Sequence, residues 1–372
     1  MGTSRTSPMS DDPLQKLRDQ IDAIDAQLLA LFNRRARCAV EVAEVKRGDL
    51  SQSGDSVHFF RPDREAQVIQ RIKSLNQGPL SDDEVGRLTR EVMSACLALE
   101  QPLKIAYLGP EGTFTQSAAL KHFGHSVTTI PMSSIPDVFS SVESGHVDYG
   151  LVPVENSTEG VVSHTLDMFI DSDLKVSGEV EIRIHHHLAN QSQDVSQIRQ
   201  IYSHQQSLAQ CRHWLDQNFP KIERVAVSSN AEAARIASQD PATAAICGLP
   251  AVENFKLQVC FENIEDLSDN TTRFVIIGNQ DVDPSGDDKT SLMISTKNYP
   301  GALLGLLQPL ADNGISMNKI ESRPAPDRKW EYIFFIDIDG HQNSDNVQKA
   351  LLELKGQSTR FKILGSYPKA SL

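Results

Sequence analysis

Cysteine is scarce in this 372-residue chain: Cys38, Cys96, Cys211, Cys247 and Cys260 are odd in number and scattered, and no two form a C-x-x-C pair. The pattern rules out a disulfide framework and reads as reduced thiols in a cytoplasmic protein. Positive charge is also in deficit, with 36 Lys and Arg against 49 Asp and Glu and a net charge of −13. That balance argues against nucleic acid as a partner, which needs a basic footprint, although local clusters of cations can still hold small anions. No apolar run reaches the ~18 residues of a membrane span, and the first dozen residues lack a secretory apolar core. No membrane association is therefore expected. Met1-Gly2-Thr3-Ser4-Arg5-Thr6 fits the letters of a myristoylation pattern, but residues 1–12 read as a disordered tail. G-x-S-x-G and G-x-G-x-x-G are both missing, which excludes a hydrolase elbow and a nicotinamide-binding turn. There is no internal repeat and no low-complexity segment.

What the chain does have is an uninterrupted apolar seam in its first helix: Leu14, Leu17, Ile21, Ile24, Leu28, Leu31, Arg35, Cys38, Val42 and Val45, at alternating steps of three and four. Such spacing predicts a long helix packed along its whole length, over Leu14 to Lys46. Arg35 is the anomaly. A guanidinium on a packed seam costs several kcal/mol unless an anion compensates it. The anion is either a carboxylate within the bundle or a bound ligand. Lys46 lies eleven positions further on, close to three turns, and shares that face. Arg18 lies seventeen positions before Arg35, about 25 Å along a straight helix. One small molecule cannot touch both from one copy, whereas two antiparallel copies could bring them together.

A polar loop is expected over Gly48 to Ser56, followed by a helix opening at Pro62 and ending at Asn76-Gln77-Gly78-Pro79. Ser81-Asp82-Asp83-Glu84 is a capping box for a third helix with its own seam. Cys96 and Glu100, four apart, share one face of it. Two short helices cannot cover the first along its length; dimerisation would. From Lys104 onward strands and helices alternate, as in α/β architecture. Strands are expected at Lys104 to Leu108, Tyr149 to Val154, Ile182 to Leu188, Gln200 to Tyr202 and Arg273 to Ile277. Helices are expected at Thr115 to Phe123, Ile135 to Glu143, Ser207 to Asn218 and Asn230 to Ala237. Polar residues gather after strand ends, at Glu155 to Gly160 and Ser203 to Gln206, where open α/β sheets bind ligands. An acidic linker, 281–288, leads to a strand–helix–strand–strand–helix–strand order over 289–372, which is ferredoxin-like.

Several stretches carry resemblances. Leu17 to Asp25, with Arg35, Lys46, Pro62-Asp63-Arg64-Glu65 and Cys96…Glu100, resembles the all-helical chorismate mutase family over about Asp12 to Glu100. The resemblance implies an intertwined dimer that rearranges chorismate to prephenate without a covalent intermediate. It implies that Arg18, Arg35 and Arg64 hold carboxylates, that Lys46 and Glu100 donate to the ether oxygen as it departs, that Glu65 binds the substrate hydroxyl, and that Cys96 lines the site. Cys96 stands where some relatives carry Ser, and Arg61 where some carry an Asp ligand.

Tyr107 to Phe114, Val152 to Thr158, Tyr202 to Gln206 and Asn270 to Phe274 together resemble prephenate dehydratase, across about Lys104 to Gly278. Prephenate must lose its ring carboxylate and a hydroxide together. By the resemblance Thr272 assists the leaving hydroxyl, Arg273 holds a carboxylate, and Asn156, Ser203 and Gln210 orient the ring beside Thr158 and Phe274. A threonine hydroxyl is a weak acid, so it relays or hydrogen-bonds rather than ionises. His185-His186-His187 invites a metal reading, but consecutive strand residues alternate faces and cannot converge on one ion. No metal and no cofactor are expected.

Asn298-Tyr299-Pro300-Gly301-Ala302-Leu303-Leu304 and Glu321-Ser322-Arg323-Pro324 resemble an ACT regulatory domain, which implies phenylalanine as effector between those two stretches. A glycine at a helix start lets an amino acid approach backbone amides. The combined expectation is multidomain: an all-α mutase domain over 13–101, a two-lobed α/β dehydratase domain over 103–280, and a ferredoxin-like α+β domain over 289–372. They would form a homodimer or higher assembly serving phenylalanine synthesis. The rival is a non-catalytic amino-acid sensor that kept the fold.

Overall fold

The computed structural model describes residues 12–53, 59–297, 299–325 and 331–370. Residues 1–11 of the expected tail and Asn298 lie outside the described residues. Three helices come first: α1 (Pro13–Ser53), α2 (Pro62–Leu75) and α3 (Asp82–Glu100). The expected loop at Gly48 is instead helical through Ser53, since one glycine costs a helix only about 1 kcal/mol. α2 opens at Pro62 as expected. At α3 the Ser81 side chain accepts from the Glu84 amide, but Glu84 turns to Arg87 rather than back to the cap. Within the chain α1 meets α3 through a face of small residues in which Ala43 is buried. Its Leu/Ile seam stays exposed from Leu14 to Leu31.

The middle region folds as two lobes. In chain order come β1 (Lys104–Leu108), α4 (Phe114–Phe123), β2 (Thr128–Met132), α5 (Ile135–Glu143), β3 (Tyr149–Asn156), β4 (Gly160–Val161), α6 (Ser163–Asp171) and β5 (Lys175–Arg183). The second lobe follows with β6 (His187–Asn190), β7 (Gln200–His204), α7 (Gln205–Gln210), α8 (Arg212–Asn218), β8 (Glu223–Val227), α9 (Asn230–Ala237), β9 (Thr243–Cys247), α10 (Leu249–Asn254) and β10 (Gln258–Phe261). The chain then returns to the first lobe as β11 (Thr271–Gly278). One sheet has the order β2-β1-β3-β11-β5 with β4 beside β3, and the other has β10-β6-β9-β7-β8.

Two expectations fail here for a shared reason: long-range partners decide the local structure. The strand expected over Ile182 to Leu188 is two strands in different sheets, because residues 184–186 are where the chain crosses between lobes. The helix expected over Ser207 to Asn218 breaks at Cys211. There the Asp266 carboxylate accepts from the amides of His213 (2.8 Å) and Trp214 (3.0 Å), opening a new helix.

The last region has β12 (Asp288–Thr296), α11 (Ala302–Asp312), β13 (Met317–Pro324), β14 (Tyr332–Asp339), α12 (Asp345–Gln357) and β15 (Arg360–Pro368), with sheet order β13-β14-β12-β15. The two helices pack on one face of this sheet over Leu292, Ile294, Leu306, Leu310, Ile336 and Leu354. Its other face is not free. Met293, Phe335, Leu364 and Tyr367 join Val176 of β5 and Val275 of β11 in one core. The segment expected as a linker is anchored as well, with Asp283 ion-paired to Arg61 at 2.8 Å and the Val282 carbonyl 2.9 Å from His341 Nε2.

Candidate active and effector sites

The helical region gathers part of the expected cluster. Arg35 reaches the Val92 carbonyl at 3.5 Å, and Lys46 donates to the Phe59 carbonyl at 3.3 Å while lying over the Phe59 ring. Arg47, which the sequence did not single out, holds the Glu100 carbonyl at 2.6 Å. One carboxyl oxygen of Glu100 is buried without a partner. Burial pushes this carboxyl above the ordinary range, although Lys46, Arg35 and Arg47 pull the other way. Cys96 is buried on the same helix, and Arg18 and Arg64 are exposed. Glu65 stands apart: it pairs with Arg90 at 3.0 Å and lines a cavity of about 220 Å³ between the helices, strand β5 and residues 368–370. Arg61 pairs with Asp63 and Asp283, tying α2 to the segment before β12.

Between the two lobes lies a cleft of about 740 Å³. β3 and β11 run side by side in it, with Thr272 opposite Asn156 and Arg273 opposite Glu155. Neighbouring strand residues face opposite ways, and this fixes what each can do. Thr272 and Asn156 face the cleft, where Asn156 Nδ2 donates to Thr272 Oγ1 at 2.7 Å and to Asn270 Oδ1 at 2.8 Å. Asn156 cannot turn over, because its Oδ1 accepts from the amides of Thr158 and Glu159, both at 3.0 Å. Thr158 thus contributes its backbone and does not line the cleft. Gln210 lines it, holding Asn270 Nδ2 at 3.2 Å and His186 Nε2 at 2.8 Å on the same Oε1. Phe274 is buried and forms part of the floor.

Two expected contacts fall elsewhere. Arg273 is turned to the far face of the sheet, where it meets Glu179 (2.7 Å), Asp337 (2.7 Å) and the Tyr367 hydroxyl (3.2 Å). Burial there opposes its charge, yet Tyr367, Asp337 and Glu179 more than offset this and raise its pKa. It is therefore a cation locked between the first-lobe and ferredoxin-like sheets, not one open to the cleft, and no Lys or Arg lines the cleft among the described residues. Ser203 is fully buried under the cleft wall, 2.9 Å from Oδ1 of Asn230, which also accepts from the His204 amide and donates to Ser207. It holds Asn230 rather than facing a ligand.

Sequence reasoning gave no role to Asn230, Asn270, Glu159 or His186. Asn270 was findable, since it stands two residues before Thr272. The three histidines diverge: His185 meets Glu265 at 2.7 Å, His186 meets Gln210, and His187 Nδ1 accepts from the Asn263 amide at 3.3 Å.

In the ferredoxin-like region Gly301 adopts φ +80° just before α11, a conformation that glycine takes without strain. Ala302 is buried, whereas Leu303 and Leu304 are exposed. On the edge strand β13, Ser322 and Pro324 are exposed and Glu321 is half-buried. Arg323 forks onto Asp167 of α6 with contacts of 2.7 and 2.8 Å, so it is held by the first lobe.

Comparison with known proteins places these regions. Family models match as chorismate mutase type II over residues 17–101, prephenate dehydratase over 105–282 and ACT domain over 290–356. A bifunctional chorismate mutase/prephenate dehydratase of Pseudomonas aeruginosa is 54% identical over 362 residues, covering 97% of this chain and 99% of that protein. The protein of the same name from Escherichia coli strain K12 is 32% identical, covering 98% of each. A crystal structure of prephenate dehydratase in complex with L-Phe from Arthrobacter aurescens superposes with a TM-score of 0.66 at 34% identity, covering 72% of this chain and 90% of that one.

Proposed function

The chain belongs to the family of bifunctional chorismate mutase/prephenate dehydratases, and from that premise we propose how its residues divide the work. It rearranges chorismate to prephenate in the helical region and converts prephenate to phenylpyruvate between the two lobes, on the route to phenylalanine. The observation that carries the dehydratase assignment is the Asn156–Thr272 pair. Thr272 Oγ1 accepts from Asn156, and among the described residues no protein acceptor takes its proton. The threonine O–H is left to donate to the departing hydroxyl. As the bond to the ring carboxylate breaks, its electron pair enters the ring, the ring aromatises, and the hydroxyl leaves to be protonated to water while carbon dioxide departs. With Arg273 on the other face, the substrate carboxylates are received by backbone amides at the starts of α4 and α9, whose first residues line the cleft.

In the helical region Glu100 donates to the ether oxygen, as its unpartnered buried carboxyl suits, with Lys46 beside it and Arg35 on a carboxylate. Arg18 and Arg64 complete the site in a homodimer whose partner covers the exposed seam of α1. Glu65 supports Arg90 in its own chain. L-phenylalanine binds the ferredoxin-like region between Gly301–Leu304 and Glu321–Pro324, and slows dehydration. The protein works in the cytoplasm; no helix among the described residues is long and apolar enough to cross a membrane. The test is to add chorismate to the purified chain and follow phenylpyruvate, then repeat with L-phenylalanine. Phenylpyruvate should accumulate, and the amino acid should slow it. Failure to form it would sink the enzymatic reading in favour of an amino-acid sensor.

A further inference from the structure

His186 lies on the crossover between the lobes, outside every motif that carried the assignment above. It is almost fully buried, and its Nε2 is 2.8 Å from Gln210 Oε1. An amide oxygen only accepts, so Nε2 carries the proton and Nδ1 is bare. Nδ1 is indeed buried with no partner, which shows that the ring's single contact of this kind is the one to Gln210. The contact joins a series whose donors converge on Gln210 Oε1. Gln210 Oε1 also accepts from Asn270 Nδ2, Asn270 Oδ1 accepts from Asn156 Nδ2, and Asn156 Nδ2 donates to Thr272 Oγ1. Each amide orientation is set by its neighbour. The backbone amides of Thr158 and Glu159 fix one end; at the other, Gln210 Oε1 takes His186 at 2.8 Å while its Nε2 makes a longer contact of 3.4 Å to Glu159 Oε1.

We propose that His186 is a positioning residue of the dehydratase: by donating from Nε2 to Gln210 it locks the series that turns the Thr272 proton toward the leaving hydroxyl. This rests on the assignment of Thr272 made above. The series also crosses the cleft, from the second lobe at Gln210 to the first at Asn156. The lobes must therefore be in register for Thr272 to be oriented. With the donor lost, Gln210 is held only by Asn270 and by the 3.4 Å contact of its Nε2 with Glu159 Oε1, and it can turn over to present its amide N–H₂ to Asn270. Two donors then face each other, and the series loses its direction.

The experiment compares His186→Leu, His186→Gln and Thr272→Ala in the full chain, each assayed for both activities. A glutamine places a donor nitrogen near the position of Nε2; leucine offers none. His186→Leu should lower dehydratase kcat by about ten- to a hundredfold, with KM changed little, as expected for a misplaced catalytic group. Mutase turnover should stay at the wild-type level and serves as the control for folding. His186→Gln should keep kcat within about threefold of wild type on the same argument. Equal losses in the two His186 variants, or full dehydratase activity in the leucine variant, overturn the proposal. If the leucine variant loses mutase activity as well, the glutamine variant decides: a large kcat loss there, with mutase intact, overturns it. Dehydratase activity retained by Thr272→Ala overturns the underlying assignment instead, so the two failures are separable.

Discussion

The two catalytic regions of this chain differ in how complete one copy leaves them. In the dehydratase cleft, Asn156, Asn270, Gln210 and Asn230 all find partners within the chain, and residues from both lobes converge on one opening. In the helical region the long helix leaves its seam bare, with Leu14 52%, Ile21 56%, Ile24 53% and Leu31 57% exposed. Arg18 sits at the edge of that bare stretch, far along the helix from Arg35. Fully covering each such Leu or Ile stabilises by roughly 1.5–3 kcal/mol, so a partner that buries the row gains far more than a surface ion pair supplies. One region closes its cleft within the chain; the other leaves an apolar row uncovered.

The comparison breaks most visibly at Thr272. Thr272→Ala should cut dehydratase turnover by about 10²- to 10⁴-fold, the range of a positioned proton donor, and leave mutase turnover near wild type. Phenylpyruvate and prephenate formation measured on one preparation give both numbers. If the two activities fall together, the loss is of folding and the independence of the regions is refuted.

Periodicity made the helical region legible because it is a local signal: the start of α2, the cap at Ser81 and the seam of α1 all stand where the spacing put them. The cleft was legible only in part. Thr272 and Asn156, expected in one site, do meet in the cleft, whereas Arg273, adjacent to Thr272 on the same strand, faces away from it, as strand alternation requires. The roles of Asp266 at the break after Cys211, and of Asn230 above Ser203, depend on residues far apart in sequence, and no local pattern announces them. The structure also revises one expectation about the last region. If residues 281–288 were only a linker between independent domains, removing everything beyond Asp288 would spare dehydration. Yet that cut strips Arg273 of Asp337 and Tyr367, and Glu179 of Lys289. Arg273 and Glu179 keep each other at 2.7 Å, but the core that Met293, Phe335, Leu364 and Tyr367 share with Val176 and Val275 is laid open, so the truncated chain should be destabilised.

Glu100 sharpens the comparison through pH. Burial holds its carboxyl protonated to higher pH than an ordinary glutamate. Only the protonated form donates, so mutase activity should be high below that raised pKa and fall by about tenfold per pH unit above it. The stability contribution has the same sign. A carboxyl whose pKa is raised by folding contributes most at low pH, and that contribution is lost as pH rises through the folded value. Glu100→Gln donates at every pH and should flatten the mutase profile, while the dehydratase profile is unchanged. A mutase profile that still falls in the variant assigns the titration to another group.

The smallest effect tests the division between the regions most directly. If each mutase site joins Arg18 of one chain to Arg35 of its partner, Arg18→Ala and Arg35→Ala should each silence both sites of a homodimer. A dimer holding one chain of each kind concentrates both substitutions in one site and leaves the other intact. Co-expressed chains pairing at random give about half mixed dimers, so mutase activity should return to roughly a quarter of wild type under two-fold symmetry. The dehydratase offers the contrast, since neither arginine touches its cleft and each chain carries a whole one. Its activity should remain at the wild-type level in both single variants and in the mixture. Mixed dimers can be isolated with two different affinity tags, so that failure to pair is not mistaken for failure to complement. If isolated mixed dimers stay silent as mutases, Arg18 serves its own chain. The bare seam would then be an assembly surface only, without a share in the active site.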